Sequence, residues 1–473
     1  MRFVLLWFVS ALCLAGCMVG PDYQKPELET PEAYRFEERE ATELSNTLWW
    51  EQFGEPVLND LIRTALHENK DLRIATARVE EFLARLGVTR AAFYPQVGAD
   101  AVAGREGLSG VAPFSAGTGS HPTSDFYQGF VSASWEIDLW GRIRRANEAA
   151  RADLLSQEEG RRTVILTLVS AVANSYINLR NLDRQLEIAR DTARTRQETL
   201  ALFELRFQGG VVSELELSQV NSEYQAALAT IPPLQNLIAQ RENALSVLIG
   251  HNPGAIPRGT SLAKLHLPAV PVGLPSDLLL QRPDILQAEQ DLIAANARIG
   301  VARAAYFPAI SLTGALGTVS SELSDLFTGD SKAWNYAVPL SLPIFTAGRI
   351  KGEIQAAEAV QRQVLAAYER SVQNGFREVE DALVGQSQSR KEFVVLARQV
   401  EALRTYAELA RLRYDEGYSS YIEVLDAERN LFDVELSYER SRAALLQTLV
   451  QMYKALGGGW VVTADNLSSA VIN

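Results

Sequence analysis

Three charged side chains late in the chain recur at a helical interval: Glu423, Asp426 and Arg429 would share one face of a helix. Two carboxylates so placed create a negative field that attracts cations. The plainer alternative is that all three charges simply solvate a helix surface. No catalytic partner accompanies them. The four histidines, at 67, 121, 251 and 266, share no metal-ligand spacing, and Cys13 and Cys17 are the only cysteines. Gly457-Gly458-Gly459 lacks the preceding strand that a phosphate loop requires. An enzyme is therefore the least supported class, and no cofactor or metal is expected. A net charge of −13 argues against nucleic acid as a partner.

Cys17 carries a different chemistry. Arg2 precedes an apolar stretch, Phe3 to Leu14, too short for a comfortable membrane span, and Leu14-Ala15-Gly16 sets small residues before the sulfur. This arrangement resembles the bacterial lipoprotein cleavage box. It implies thioether attachment of a diacylglycerol to Cys17, cleavage after Gly16 and acylation of the new amino terminus. An ordinary secretory signal that contains a cysteine is the alternative. Cys13 lies within the signal, so no disulfide remains possible after processing. Met18, which is not aspartate, favours the outer membrane by bacterial sorting rules. Beyond residue 16 no run of 18 apolar residues occurs, so any membrane crossing must use strands.

The elements that position these groups come in two copies. Residues 84–97 (ARLGVTRAAFYPQV) align without gaps on 297–310 (ARIGVARAAYFPAI), with eight of fourteen positions identical and an offset of 213. Asp71 meets Asp284 at the same offset. Farther on the offset is 207: Gly141-Arg142-Ile143 meets Gly348-Arg349-Ile350, Arg206-Phe207 meets Arg413-Tyr414, and Glu216 meets Glu423. Each copy reads helix, strand, strand, long helix, turn, helix. An apolar stripe from Val164 through Leu168, Val172, Tyr176, Leu179 and Leu182 to Ala193 has helical period. Residues 141–208 and 347–414 contain no proline, which allows a 68-residue helix in each copy, about 100 Å long at 1.5 Å per residue. Shorter helices are expected over 71–94, 213–249, 284–307 and 420–456. End to end, two of these match one long helix and suggest a pseudo-continuous rod within a coiled-coil-like tube.

Pro95 and Pro308 end the first helix of each copy. Alternation of period two follows. Tyr127, Gly129, Val131, Ala133, Trp135 and Ile137 oppose Gln128, Ser132, Ser134 and Glu136, interrupted only by Phe130. Trp334, Tyr336, Val338, Leu340 and Leu342 oppose Asn335, Ala337, Pro339 and Ser341, and Ile310, Leu312 and Leu316 oppose Ser311 and Thr313. A weaker strand is expected at 97–103. Such patterning fits both a transmembrane barrel and a half-buried soluble sheet. Four strands cannot close a water-filled barrel, whereas three chains would supply twelve. Residues 104–125 and 320–333 read as loops.

Several stretches carry a resemblance: Trp49-Trp50…Phe53, Trp135-Glu136-Ile137-Asp138-Leu139-Trp140-Gly141-Arg142, Gln281-Arg282-Pro283-Asp284-Ile285 and Ala304-Ala305-Tyr306-Phe307-Pro308. From Gly20 to about Leu456 the chain resembles the TolC/OprM family of outer-membrane efflux channels, and most of all its lipid-anchored members that serve resistance-nodulation-division pumps. The resemblance implies a mixed α and β fold in a homotrimer. Four strands per chain would form a twelve-stranded transmembrane β-barrel, continued by a twelve-helix periplasmic α-barrel with a mixed equatorial belt. The implied division is a signal over 1–16, a lipidated arm over 17–56, repeats over 57–249 and 275–456, a connector over 250–274 and a last segment over 457–473. The implied partners are a periplasmic adaptor, an inner-membrane transporter and outer-membrane lipid.

By the same resemblance, the turns near Phe207–Ser213 and Tyr414–Ser420 are the periplasmic tips, and the gate lies there. Asp426 matches a ring acid, Ile422 an apolar plug and Arg429 a charged partner. Tyr414 and Glu216 match positions that lace the coiled coils shut, although Ser419 stands where TolC completes that lacing with an arginine. Threefold symmetry would ring the mouth with Glu423 and Asp426. Adaptor binding would then splay the inner coiled coils. Rival readings are a type I protein-secretion duct and a periplasmic helical spacer that never opens a pore. The substrate class, drug, organic toxin or metal ion, is not encoded in these motifs.

Overall fold

The computed structural model describes residues 18–28, 30–31, 34–35, 48–107, 123–266, 281–457 and 459–469. Cys17 and the signal lie outside the described residues, as do most of the first loop and the end of the connector. In chain order the elements are α1 (Pro56–Glu68), α2 (Lys70–Ala91), β1 (Gln96–Gly107), β2 (Thr123–Ile137), α3 (Arg142–Gln208) and α4 (Glu214–Leu248). There follow α5 (Pro283–Ala304), β3 (Ala309–Ser320), β4 (Lys332–Ala337), β5 (Leu340–Ser341), α6 (Arg349–Asp415), α7 (Tyr421–Leu456) and α8 (Trp460–Ser469). Helices α3 and α6 each run 67 residues, and α2 and α5 each run 22. Among the described residues, no helix is long and apolar enough to cross a membrane.

Contacts divide the chain into two compact units that cut across both sequence copies. One comprises Met1–Glu27, Val79–Gln157 and Ala288–Tyr368; the other comprises Leu28–Arg78, Glu158–Gln287 and Glu369–Asn473.

The first unit holds an antiparallel sheet in the order β1-β2-β3-β4, with β5 also paired to β3. Its register keeps the alternation intact from strand to strand. Val97 faces Ala133, Ala133 faces Gly314, Val131 faces Leu316, and Leu316 faces Trp334. The apolar side chains therefore share one side, and they are exposed: Trp334 is 69% and Tyr336 75% accessible, and their rings stack at 5.9 Å. Phe130, which shares the side of Gln128 and Ser132, lies over Gly317, where an added Cβ would meet its ring at 2.7 Å. Phe126 covers Gly104 in the same way. Both rings fill space that a neighbouring glycine leaves open.

Two details depart from the sequence reading. The last strand is broken between Ala337 and Leu340, because Pro339 has no N–H for the ladder, though its carbonyl still accepts from Ser311 N at 3.1 Å. The strands reach into both expected loops, to Gly107, from Thr123 and from Lys332. Within the span expected over 213–249, helix α4 continues through Pro232 and Pro233, although they remove the N–H donors for the Leu228 and Ala229 carbonyls.

At the end of β2 the chain turns into α3 through Asp138-Leu139-Trp140-Gly141. Asp138 accepts from the N–H groups of Ile143 (3.0 Å) and Arg144 (2.9 Å), capping the helix. Glu136 takes both arms of Arg142, at 2.8 and 2.7 Å. Trp140 donates to the Pro308 carbonyl and stacks on Phe307 at 4.7 Å. Gly141, at φ +78°, leaves the space that Met18 fills. Buried Arg145 then ties the strap 18–22 to α3, donating to the carbonyls of Val19 and Gly20 and to Asp22. Gly20 and Gly300 meet so closely that a Cβ on Gly20 would lie 2.4 Å from Gly300 Cα.

The second unit is built around aromatics from distant segments. Trp49 stacks on Tyr453 at 5.3 Å and meets Trp50, Phe53 and Trp460 edge-on. These rings belong to a core with Leu58, Ile62, Val169, Val172 and Tyr176, the last two from the α3 stripe. Helix α8 is held through Asp465, which Arg161 and Arg162 both engage, and Ser468. Buried Glu55 caps α1 and accepts from Thr260 N at 2.9 Å, fixing the connector. Arg282 bridges Asp284, Glu378 and the Ala455 carbonyl.

Candidate functional site

Both helix turns lie in the second unit, and each closes the same way. After α3, Gly210 adopts φ +72° and Val211 N bonds the Arg206 carbonyl at 2.8 Å; after α6, Gly417 adopts φ +78° and Tyr418 N bonds the Arg413 carbonyl at 2.8 Å. This is the Schellman closure, in which a left-handed glycine lets the last carbonyls find donors.

The two following helices start differently. Ser213 caps α4, and Glu216 reaches back to Ser213 N at 2.8 Å, completing a capping box. Ser420 holds the matching place before α7 but makes no side-chain cap bond. Its Glu423, the counterpart of Glu216, lies 3.5 Å from Arg413 instead. One turn later, Asp426 pairs with Arg429 at 3.0 Å and accepts from Asn430 Nδ2 at 3.1 Å. Ile422 is exposed beside them.

Behind these polar groups lies a small core of Phe203, Val220, Ala410, Tyr421, Val424 and Ala427. Tyr414 packs on it, 4.9 Å from Tyr421 and 6.3 Å from Phe203 between ring centres. Arg206 lies over both Phe203 (5.7 Å) and Tyr414 (5.9 Å) and donates to the Tyr414 hydroxyl at 3.0 Å. Tyr414 thus meets its cation across the two sequence copies. The Ser419 hydroxyl is buried with no hydrogen-bond partner among the described residues. Burial pushes the Tyr421 phenol up to about 12.

Sequence reasoning singled out Glu216, Tyr414, Ile422, Glu423, Asp426 and Arg429. The structure brings Glu423 to Arg413 and Asp426 to Arg429, and engages Glu216 with its own helix start. It adds residues that reasoning missed. Arg206 and Phe203 form the platform for Tyr414; their spacing of three, with arginines repeated at 206 and 413, was the available signal. Glu428 and Arg196 carried no such signal, because what brings them near each other is the packing of α3 on α7. Burial raises the Glu428 carboxyl above its ordinary range, an effect that Arg411 and Arg196 reduce and Glu223 reinforces. Arg196 donates to the Glu223 carbonyl at 2.7 Å and lies over Phe432.

The family profile described as "Outer membrane efflux protein" matches residues 61–251 and 274–458, nearly all of the paired repeats. The chain belongs to the outer membrane efflux protein family. It is 38% identical over 462 residues to the cation efflux system protein CusC of Escherichia coli O6:H1 (strain CFT073), covering 96% of this chain and 98% of CusC. It is equally 38% identical, over 476 residues, to the solvent efflux pump outer membrane protein SrpC of Pseudomonas putida, covering 98% of this chain and all of SrpC. Its fold matches the open state of the MtrE outer membrane channel of Neisseria gonorrhoeae with a TM-score of 0.85 at 32% identity, over 94% of this chain and 99% of MtrE. The protein is thus an outer-membrane efflux channel component of mixed helix and strand. Among the described residues of this efflux protein, no group of His, Cys, Asp or Glu has the arrangement of a metal site.

Proposed function

We propose that this efflux protein works as a homotrimeric, passive exit duct, lipid-anchored through Cys17 and gated at the helix turns. The sheet carries the reading. Its apolar side is exposed, its polar side holds Gln128, Ser132, Ser134 and Thr313, and β1 and β4 have no outer neighbour among the described residues. A sheet of this size cannot close a water-filled ring, and bare edges demand partners. Three copies would supply twelve strands, lipid outside and water inside. Helices from three chains would form the periplasmic barrel, closed at rest by Arg206–Tyr414, Arg413–Glu423 and the packing around Tyr421. The six carboxylates of Glu423 and Asp426 would give the closed mouth its preference for cations.

No covalent chemistry is needed, and the chain is read as a non-enzyme. A periplasmic adaptor docking on the turns would open them, and a transporter of the resistance-nodulation-division type would load cargo. Relatives at equal identity are named for cations and for solvents, which supports a duct whose cargo is chosen upstream.

The test is the purified lipoprotein in planar bilayers, with its mass measured in detergent. Three chains per particle and small cation-selective steps are expected. A water-soluble monomer that gives no steps after confirmed insertion would return the sheet to a soluble role and the protein to a spacer.

A further inference from the structure

The side of the sheet that holds Gln128, Ser132 and Ser134 changes character along the strands. Nearest the ends that join α2, α3 and α5, its paired rows are Glu136 with Ser311, Ser134 between Gln96 and Thr313, and Ser132 between Gly98 and Ala315. These side chains are polar or small. Farther along, rows about 7 Å apart bring Phe130 between Asp100 and Gly317, then Gln128 between Val102 and Val319, then Phe126 opposite Gly104. Val102 and Val319 are 44% and 43% accessible, and both rings are half-buried.

Packing explains where the rings lie. Each reaches onto a neighbouring strand: a Cβ at Gly104 would meet Phe126 Cζ at 2.6 Å, and one at Gly317 would meet Phe130 Cδ1 at 2.7 Å. Packing does not explain why aromatics stand on this side, where serine and threonine serve in the earlier rows. A ring laid along the wall keeps one face toward the open side, and that face is the negative pole of its quadrupole.

Charge is divided between the two sides. The strand cations stand on the opposite one: Arg105 pairs with Asp125 at 3.3 Å, and Lys332 faces Thr318. On the side of the rings the described strands carry Asp100, Glu106 and Glu136 but no lysine or arginine. Glu136 is held by Arg142 at 2.7 Å. Asp100 is exposed, enters no ion pair among the described residues, and lies directly across the ladder from Phe130, where opposed Cβ atoms are about 5 Å apart.

This combination selects a chemistry. A hydrated metal ion is drawn by Asp100 but gains little from ring faces, and a neutral solvent molecule gains nothing from the carboxylate. An organic cation with an apolar body uses both. Its charge sits between Asp100 and the Phe130 face, and its body covers Val102, Val319 and Phe126. We infer that these five residues form a station for such a cation on the wall of the duct. The inference rests on the barrel reading above, under which three copies would set three of these carboxylates and six rings around the bore.

The experiment records single channels of the full lipidated protein in planar bilayers. Tetraphenylphosphonium is added on the side of the β1–β2 loop, with magnesium ion as the inorganic reference. Tetraphenylphosphonium is expected to interrupt the current. Phe130→Leu still covers Gly317 but offers no ring face, and is expected to raise the half-blocking concentration about fivefold while leaving the response to magnesium unchanged. Asp100→Asn is expected to weaken both responses. Phe126→Leu is the second variant should Phe130→Leu fail to assemble. Open channels that tetraphenylphosphonium does not interrupt, or interrupts equally in wild type and both leucine variants, would overturn this inference alone. So would a leucine variant that weakens magnesium and tetraphenylphosphonium to the same degree. The absence of any current steps after confirmed insertion would overturn the barrel reading, and this inference with it.

Discussion

Tyr414→Phe isolates one contact of the candidate gate. The substitution removes the hydroxyl that accepts from Arg206 at 3.0 Å but keeps the ring, so the stack on Phe203 and the guanidinium above both rings survive. A hydrogen bond with one charged member contributes roughly 1.5–3 kcal/mol when shielded. Both partners here are only half-buried, and water can replace the lost acceptor, so about 1 kcal/mol per chain is a fair net value. In the proposed trimer three such bonds part together, about 3 kcal/mol in all. That shifts a closed-to-open equilibrium on the order of 100-fold. The assay is single-channel recording in planar bilayers, scoring the fraction of time in the larger conductance level. Arg206→Ala, which also removes the cation from two rings, is expected to shift it further. An open fraction within twofold of wild type for Tyr414→Phe, in a protein of unchanged trimer mass, would refute the claim that this bond holds the gate.

Glu423→Ala with Asp426→Ala is expected to reduce cation preference, read as a reversal potential nearer zero across a salt gradient, and to enlarge the steps; unchanged values would remove the acid ring. Gly20→Ala places a Cβ 2.4 Å from Gly300 Cα at a backbone angle of +105°, so the strap should lift and the Val19 amide, bonded to the Trp140 carbonyl at 3.0 Å, should exchange its hydrogen faster than in wild type. Glu428→Gln tests burial of a carboxyl. Because its folded pKa is raised, the ionised form is disfavoured in the fold, so its contribution to stability declines as pH rises from the ordinary carboxylate range through the folded value. The melting temperature of Glu428→Gln relative to wild type should therefore be near zero at pH 4 and positive at pH 8; a constant difference would show that the group does not titrate in the fold.

The lengths of the helices were legible because two signals agree: no proline over 141–208 or 347–414, and a stripe whose Val172, Tyr176 and Leu179 are fully buried. The faces of the sheet were legible because strand registers such as Val131 with Leu316 preserve parity. Pro339 escaped notice as a break because side-chain alternation is blind to a missing N–H. Pro232 and Pro233 lie inside the helix expected over 213–249, a case of tertiary packing overriding local preference. At the turns, the charged residues of α7 could be found by spacing along one helix. Arg206, Phe203 and Glu428 could not, because what they touch depends on which helix lies beside them and at what rotation.

The unequal starts of α4 and α7 bear on how a duplicated chain diverges. Glu216 and Glu423 stand at matching places in the two copies, but only Glu216 secures its helix start, through bonds with Ser213 confined to that turn. The start of α7 stands without such a side-chain bond. Glu423 could take Arg413 as partner, and substitutions there could retune opening while the twin kept the turn in shape. Redundancy inside a single chain thus leaves one half conservative and the other open to selection, and relatives with different cargo partners are expected to differ more around 413–430 than around 206–223.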